Sequence, residues 1–525
     1  MISKIKKQIQ YLNSLFSFSS LDRLLFDQVN SQKTFSNDQS APIIVIQCVK
    51  DHYYYVLWGL LIKQFRKKHP VEVHMICTSG FVVGESRSFF AYLYGKCTQG
   101  YFSDRKWIKL FNSFCNKVGY SHSGIIDALC HFSELFSAIK KWKKIQSKEE
   151  LLAFSFDTIE VGDLLYDSYL RFKPSPTVDI NDPYLILVLW RAIRCYRKAT
   201  NYFKNTKPAL FFTSYTTYAQ HGIAVRVAAN LGIQVFSFGN IQDLYKKITL
   251  DDPYHTKDTS QYKAIFDQLD NQKERLHEAE SSLKKRLSGG VDLATFYMKQ
   301  SAYQVYNEAL PDLREYAVIF LHDFFDSPHV YGELLFPDFW IWIGTTFDIL
   351  LKYQIPFVVK PHPNQIPEAK LAVEKLMKLY PQVQFISSKF SNVQLVEAGM
   401  SFAVTVYGTV AHEMSYLGIP TLACGLNPHH AYSFSKVART IDEYKTLLSN
   451  SKLLDQDGEK MKMEALSFYY MHNLYGSAEM LELRNKTLEL RTVLGVSFNN
   501  KELVTTLRLF EESVSRFDLM KEFMH

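Results

Sequence analysis

The chain has 525 residues, too many for one ordinary hydrophobic core, and reads as two domains of about 200–250 residues each. Hydrophobic residues make up 47% and charged residues 22%, which excludes a disordered chain. A net charge of only +7 over this length excludes a dedicated nucleic-acid binder and suits anionic partners: a nucleotide sugar, a phospholipid-linked acceptor or a membrane face.

In chain order, Ile2, Ile5, Ile9, Leu12 and Phe16 recur at spacings of three and four, with Lys4, Lys6 and Lys7 mostly off that stripe. This is an amphipathic basic helix, suited either to an anionic membrane surface or to packing on the protein's own body. It carries no continuous apolar core or cleavage site of a signal peptide. The most apolar run, Tyr53–Leu61, is far shorter than the ~20 residues that cross a bilayer. Residues 30–39 are polar and read as a linker, so residues 1–40 form an N-terminal segment ahead of the first domain. The seven cysteines are scattered, with neither a CxxC pair nor zinc spacing, as expected of reduced, buried thiols. Together these features describe a cytoplasmic protein, soluble or peripheral on the inner membrane.

Organised α/β structure begins with the strand Pro42–Val49, a helix over Tyr54–Lys67 and the strand Val71–Thr78, a βαβ opening of a parallel sheet. Residues 85–205 read as mostly helical, and their lysines 140, 141, 143 and 144 as a solvated helix face or a phosphate contact. Strand Pro208–Ser214, a helix over Ala219–Leu231 and strand Gln234–Phe238 resume the parallel grammar. Charged helical sequence then runs from 255 to Gly289-Gly290, and the domain boundary is expected near 300. A second unit follows, with strands at Ala317–His322, Phe357–Lys360, Gln384–Ile386, Phe402–Val406 and Thr421–Cys424. Helices are expected at Phe339–Tyr353, Glu368–Leu379 and Thr409–Leu417, and over most of the remainder. The expected division is 41–300 and 301–495, with 496–525 as a C-terminal helix. Two Rossmann-like domains with a cleft between them would bind ligands beyond the carboxyl ends of their strands.

Four groups of residues at such positions carry candidate chemistry. Lys360-Pro361-His362-Pro363-Asn364 ends a strand, and its prolines hold the chain extended, making Lys360 and His362 neighbouring donors for a phosphate or oxyanion. Tyr407-Gly408-Thr409 leads from strand to helix, with Thr409 as N-cap, Gly408 permitting close approach, and Glu413 one turn on. The helix amides would face an anion and Glu413 a ribose, unless Glu413 merely complements the helix dipole. His322-Asp323-Phe324-Phe325-Asp326 follows the strand that opens the second domain; Asp323 and Asp326 are candidate bases or nucleophiles, or caps. In EVGDLLYDSYLR, Glu160, Asp163, Asp167 and Arg171 share a helical face, as an acceptor site with Asp163 catalytic or as an ion-pair ladder.

Taken in order, HDFFDSPHVYG, LFPDFWIW, VKPHPN, YGTVAHEMSYLGIPTLACG and NPHHAYSFSKVARTIDEYKTLL make the region 317–448 resemble bacterial capsule and surface-polysaccharide biosynthesis glycosyltransferases, which include Kdo transferases. The resemblance implies a GT-B fold and transfer of a sugar from a nucleotide donor to a growing capsule or lipopolysaccharide. It carries the donor contacts onto His362, Pro363, Gly408, Thr409 and Glu413, and Tyr407 stands where a serine-rich turn is usual. A CMP-linked acidic sugar is the expected donor and a glycan or lipid-linked glycan the acceptor. No cofactor is expected, and no metal, because Lys360, His362 and helix amides would meet the phosphate. A CDP-polyol phosphotransferase of teichoic-acid type, a sugar-nucleotide epimerase and a non-catalytic assembly protein remain open on the same fold.

Overall fold

The computed structural model describes residues 17–29, 41–78, 101–121, 132–240, 243–289, 306–332, 334–363, 365, 367–495 and 500–516. The Ile2–Phe16 helix, the 30–39 linker and Asn364 lie outside them. The described residues fall into two compact units, one from those up to 174 with 179–255 and those from 477 on, the other from 175–178 with 256–476.

Unit 1 opens, after helix α1 (Ser20–Val29), with β1 (Ile43–Gln47), α2 (His52–Lys68) and β2 (Glu72–Cys77), as expected. Asp51 caps α2 by accepting the Tyr53 N–H at 2.9 Å, and three basic residues close its last turn against the helix dipole. Its residues Tyr53–Ile62 are buried without a break, so α2 is a core helix with no solvent face in that stretch. The described residues of 85–205 are mostly helical, as expected, with short strands between the helices. Helices α3 (Tyr101–Phe111) and α4 (Phe132–Trp142) are separated by the edge strand β3 (Lys117–Ser121), and a two-residue hairpin, β4 (Ser155–Phe156) and β5 (Ile159–Glu160), precedes α5 (Gly162–Phe172). β3 is half-exposed and pairs on one side only, so it lacks the apolar run that betrays a central strand. Lysines 140, 143 and 144 are exposed, in keeping with a solvated face.

Helix α6 (Tyr184–Thr206), β6 (Leu210–Thr213), α7 (Ala219–Asn230), β7 (Gln234–Phe238) and β8 (Tyr245–Ile248) complete a sheet of order β3-β2-β1-β6-β7-β8, parallel except for β8.

Apart from residues 175–178, unit 2 begins at Thr256, not near 300. The charged helix α8 (Gln272–Leu287) belongs to it because Ala279, Leu283 and Leu287 share a core with Phe468 and Tyr469. The sheet order is β11-β10-β9-β12-β13-β14, all parallel, from β9 (Ala317–Phe320), β10 (Phe357–Lys360), β11 (Gln384–Phe385), β12 (Phe402–Val404), β13 (Thr421–Cys424) and β14 (Lys436–Ala438). Along β9, Ala317 and Ile319 join one core and Val318 and Phe320 the other, the period-two alternation of a sheet covered on both faces. Helices α9 (Phe339–Lys352), α10 (Pro367–Leu379), α11 (Asn392–Glu397), α12 (Val410–Tyr416), α13 (Ile441–Ser449) and α14 (Gly458–Asn473) fill the connections.

The chain then returns to unit 1. Helices α15 (Ala478–Gly495) and α16 (Asn500–Arg516) place Leu483, Leu490, Leu503, Leu507 and Phe510 in the same core as α2. The second domain therefore ends at 476, and the last helices are part of the first domain's core, which corrects the expected boundary at 495. The twin Rossmann-like composition with C-terminal helices, the α/β class expected of a GT-B protein, is present unit by unit.

Candidate active site

From β9 the unit 2 sheet runs outward to β10 and β11 on one side and to β12, β13 and β14 on the other. Such a reversal opens a crevice at the carboxyl ends of the two central strands, where ligands of open α/β sheets bind. His322, two residues beyond β9, lies at that point. Its Nε2 accepts the Val406 N–H at 3.2 Å and sits 3.1 Å from Thr405 Oγ1, so the residues just past β12 hold the ring. An Nε2 that accepts an amide proton leaves the ring proton on Nδ1. Burial pushes the imidazole down to about 3, and the neighbouring His362 acts in the same direction. His322 is therefore a neutral N–H donor at neutral pH. It stacks on Phe339 at 4.6 Å and meets Tyr407 at 4.9 Å, an aromatic wall that fixes its plane.

Lys360 is the last residue of β10, buried at 4% exposure, with Nζ 5.5 Å from the centre of the Phe320 ring. Burial pushes its ammonium down to about 8, while the Glu413 carboxylate pulls the other way. It is still mostly protonated at neutral pH. His362 and Pro363 follow in the half-buried turn beyond the strand. A Cβ on Gly408 would stand 3.0 Å from Thr405 Oγ1 and 3.5 Å from His322 Cε1, so the glycine permits the close approach expected of it. His322, Lys360, His362 and the Thr405–Gly408 turn thus lie at the carboxyl ends of three adjacent strands.

Two expectations at this turn are corrected. Thr409 has helical dihedrals and makes no side-chain capping bond, because the helix begins one residue later and Thr409 already follows its geometry. Glu413 does not stand open to a ribose. It is 1% exposed, one carboxylate oxygen lies 2.8 Å from Arg286 and the other accepts the Asn392 amide at 2.6 Å. Asp323 and Asp326 form the loop leaving β9: Asp323 accepts the Phe325 N–H at 3.0 Å, and the exposed Asp326 accepts that of Ser327 at 3.1 Å.

In unit 1, Glu160 belongs to the β4–β5 hairpin and not to a helical face, so the four-residue ladder does not form. Asp163 receives two hydrogen bonds from Arg226 of α7, at 2.7 and 2.5 Å, and a third from the Tyr254 hydroxyl at 2.8 Å. A carboxylate committed to three donors is a structural anchor, which corrects its reading as a catalytic group. Asp167 is buried within α5, and Arg171 is half-buried in its last turn. Sequence reasoning passed over Thr405 and Arg286. Thr405 had a signal, its place at the end of an apolar strand; Arg286, inside a run of mixed charge, had none.

Among the described residues no group of three or more His, Cys, Asp or Glu is disposed to hold a metal ion. No described helix is long and apolar enough to cross a membrane. Five of the cysteines, Cys48, Cys77, Cys115, Cys195 and Cys424, are buried thiols outside any disulfide.

No family model matches the chain, and no curated protein matches it significantly. Solved structures do. A UDP-GlcNAc 2-epimerase from Methanocaldococcus jannaschii is 11% identical, with 80% of this chain and 97% of that one covered and a TM-score of 0.24. A glycosyltransferase from Rickettsia africae is 8% identical over 87% and 100% of the two chains, with a TM-score of 0.25. A UDP-glucose:anthocyanidin 3-O-glucosyltransferase in complex with UDP is 11% identical over 91% and 100%, also at 0.25. Scores this low leave the two strand orders as the ground for the fold assignment.

Proposed function

We propose that the chain is a nucleotide-sugar-dependent glycosyltransferase of capsule or lipopolysaccharide assembly, with the donor nucleotide held by unit 2. The observation that carries this reading is the cationic, donor-rich group at the unit 2 switch point: the Lys360 ammonium, the neutral His322 and the His362 ring at the carboxyl ends of adjacent strands. A departing nucleotide phosphate gathers negative charge as the glycosidic bond breaks. Fixed N–H donors and a desolvated ammonium stabilise that charge without reorganising, which is how such sites lower a barrier. Tyr407 and Gly408 line the adjoining turn, and Asp323 or Asp326 would accept the proton of the attacking hydroxyl from the loop that carries His322. The donor in this reading is a CMP-linked acidic sugar such as Kdo. No metal takes part, since Lys360 and the imidazoles supply the positive end, and activity is expected to survive EDTA. The Ile2–Phe16 stripe would rest on an anionic membrane face.

The test is a thermal-shift screen with CMP, CMP-sugars, CDP-glycerol and UDP-GlcNAc, followed by turnover of whichever binds. Ligand at 100 times its Kd adds about 2.7 kcal/mol of stability. Consumption of a CMP-sugar that depends on an added glycan acceptor is expected. Turnover of CDP-glycerol would make the protein a polyol phosphotransferase, and conversion of UDP-GlcNAc without acceptor an epimerase. Nucleotide binding without consumption would make it an assembly protein.

A further inference from the structure

The unit 1 sheet has its own reversal, between β1 and β6, and polar atoms gather at the carboxyl ends of these strands. Gln47 closes β1 and Ser214 follows β6; both are fully buried, and neither Gln47 Nε2 nor Ser214 Oγ has a hydrogen-bonding partner among the described residues. Buried groups of this kind are normally satisfied, so several together at one strand edge point to a ligand. Beside them, the Tyr54 ring meets Tyr215 at 5.6 Å, and Tyr215 meets His221 at 5.8 Å. Arg491, from the returning helix α15, lies with its guanidinium 4.1 Å from the Tyr53 ring centre and 4.9 Å from that of Tyr54. Its Nε and Nη2, and Nδ1 of His221, are buried and likewise without partners among the described residues.

Lys50 and Arg191 act on His221, and Arg491 adds a third cation, while the nearby carboxylate of Asp51 caps α2. Burial, with those two cations, pushes the His221 imidazole down to about 4. A desolvated guanidinium with open N–H groups is suited to bidentate capture of a carboxylate or phosphate.

We propose that the carboxyl edge of the unit 1 sheet, from Gln47 and Tyr54 through Ser214, Tyr215 and His221 to Arg491, is a binding site for an anionic sugar, with Arg491 taking its carboxylate or phosphate. Naming that sugar the acceptor rests on the transferase reading above. The bound anion supplies the acceptor that Arg491 Nε and Nη2 lack and offsets the positive field of Lys50 and Arg191 at the neutral His221 ring. It also makes the returning helix a determinant of which glycan is extended.

The experiment titrates the full chain and its Arg491→Met variant with glucuronate, glucose 6-phosphate and neutral glucose, by calorimetry and by the imidazole resonances of His221. CMP is titrated in parallel. Glucuronate or glucose 6-phosphate should bind and shift the His221 signals, glucose should not, and whichever of the two anions binds tighter identifies the charged group. Arg491→Met should weaken anionic binding at least tenfold, equivalent to about 1.4 kcal/mol, and leave CMP affinity unchanged. Equal binding of glucose, unchanged affinity in the variant, or still His221 signals in the wild type would each overturn the inference. The wild-type signals remain decisive if the variant fails to fold. CMP binding without either anionic sugar removes this site and leaves the donor reading standing; anionic sugars bound through Arg491 with no nucleotide bound do the reverse.

Discussion

Replacing His362 by alanine takes one N–H donor from the end of β10 and leaves the hydrogen bonds of His322 in place. Loss of one preorganised donor typically lowers kcat about 10²–10³-fold, and Tm should hardly move. An active His362→Ala enzyme with a depressed Tm would return His362 to a packing role. Glu413→Ala should behave in the opposite way, because it strands the Arg286 guanidinium, which is 2% exposed. Breaking such a buried pair costs about 3–5 kcal/mol, read as a lower urea midpoint at unchanged slope. Stability left intact, with only the donor KM raised, would restore the ribose reading. Lys360 and His362 were legible because a short apolar strand followed by alternating prolines fixes where they stand. Glu413 was legible as a helix residue, but its partner lies far earlier in the chain, and nothing in α8 marks Arg286 as the side chain that turns inward.

Central parallel strands announced themselves as continuous apolar runs, and β9, β10 and β13 lie where those runs are. The edge strands β3 and β14 did not: each is short, pairs on one side only and is largely half-exposed, so its residues need not be apolar. Two glycines that each begin a helix separate packing from propensity. A Cβ at Gly162 would come within 1.9 Å of the Leu152 carbonyl oxygen, whereas one at Gly458 meets nothing within 4 Å. Gly162→Ala should therefore destabilise unit 1 by about 1–3 kcal/mol or more, since backbone must move. Gly458→Ala should be neutral or stabilising by up to about 1 kcal/mol. Equal melting temperatures for the two variants would contradict this placement of the Leu151–Leu152 backbone against the start of α5.

Five histidines are held neutral across the molecule, chiefly by burial: His221 is pushed down to about 4, His255, His322 and His429 to about 3, and His412 well below its ordinary value. In the unfolded chain each takes a proton near pH 6.5. The unfolded state therefore binds more protons below that pH, and stability falls as pH drops from 6.5 toward 4 and then 3. Each residue contributes up to about 1.4 kcal/mol per pH unit. Urea midpoints measured from pH 7.5 to 4.5 should decline steeply below 6.5; a flat profile would mean that these rings are solvated. The number of domains and their class were legible from the alternation of strands and helices. The path between them was not, because α15 and α16 look like any amphipathic pair, and only packing against α2 says which core they complete.

That returning pair sets an order on synthesis. As the chain leaves the ribosome, the sheet of unit 1 emerges first, yet the apolar side of α2 that takes Leu483, Leu490 and Phe510 has no cover until all of unit 2 has been translated. Translation at ~5–20 residues per second leaves that surface bare for tens of seconds, long enough for aggregation or chaperone capture to compete with folding. Unit 2, whose core residues are contiguous apart from 175–178, can finish first. The half of the protein made first is thus the last to be sealed.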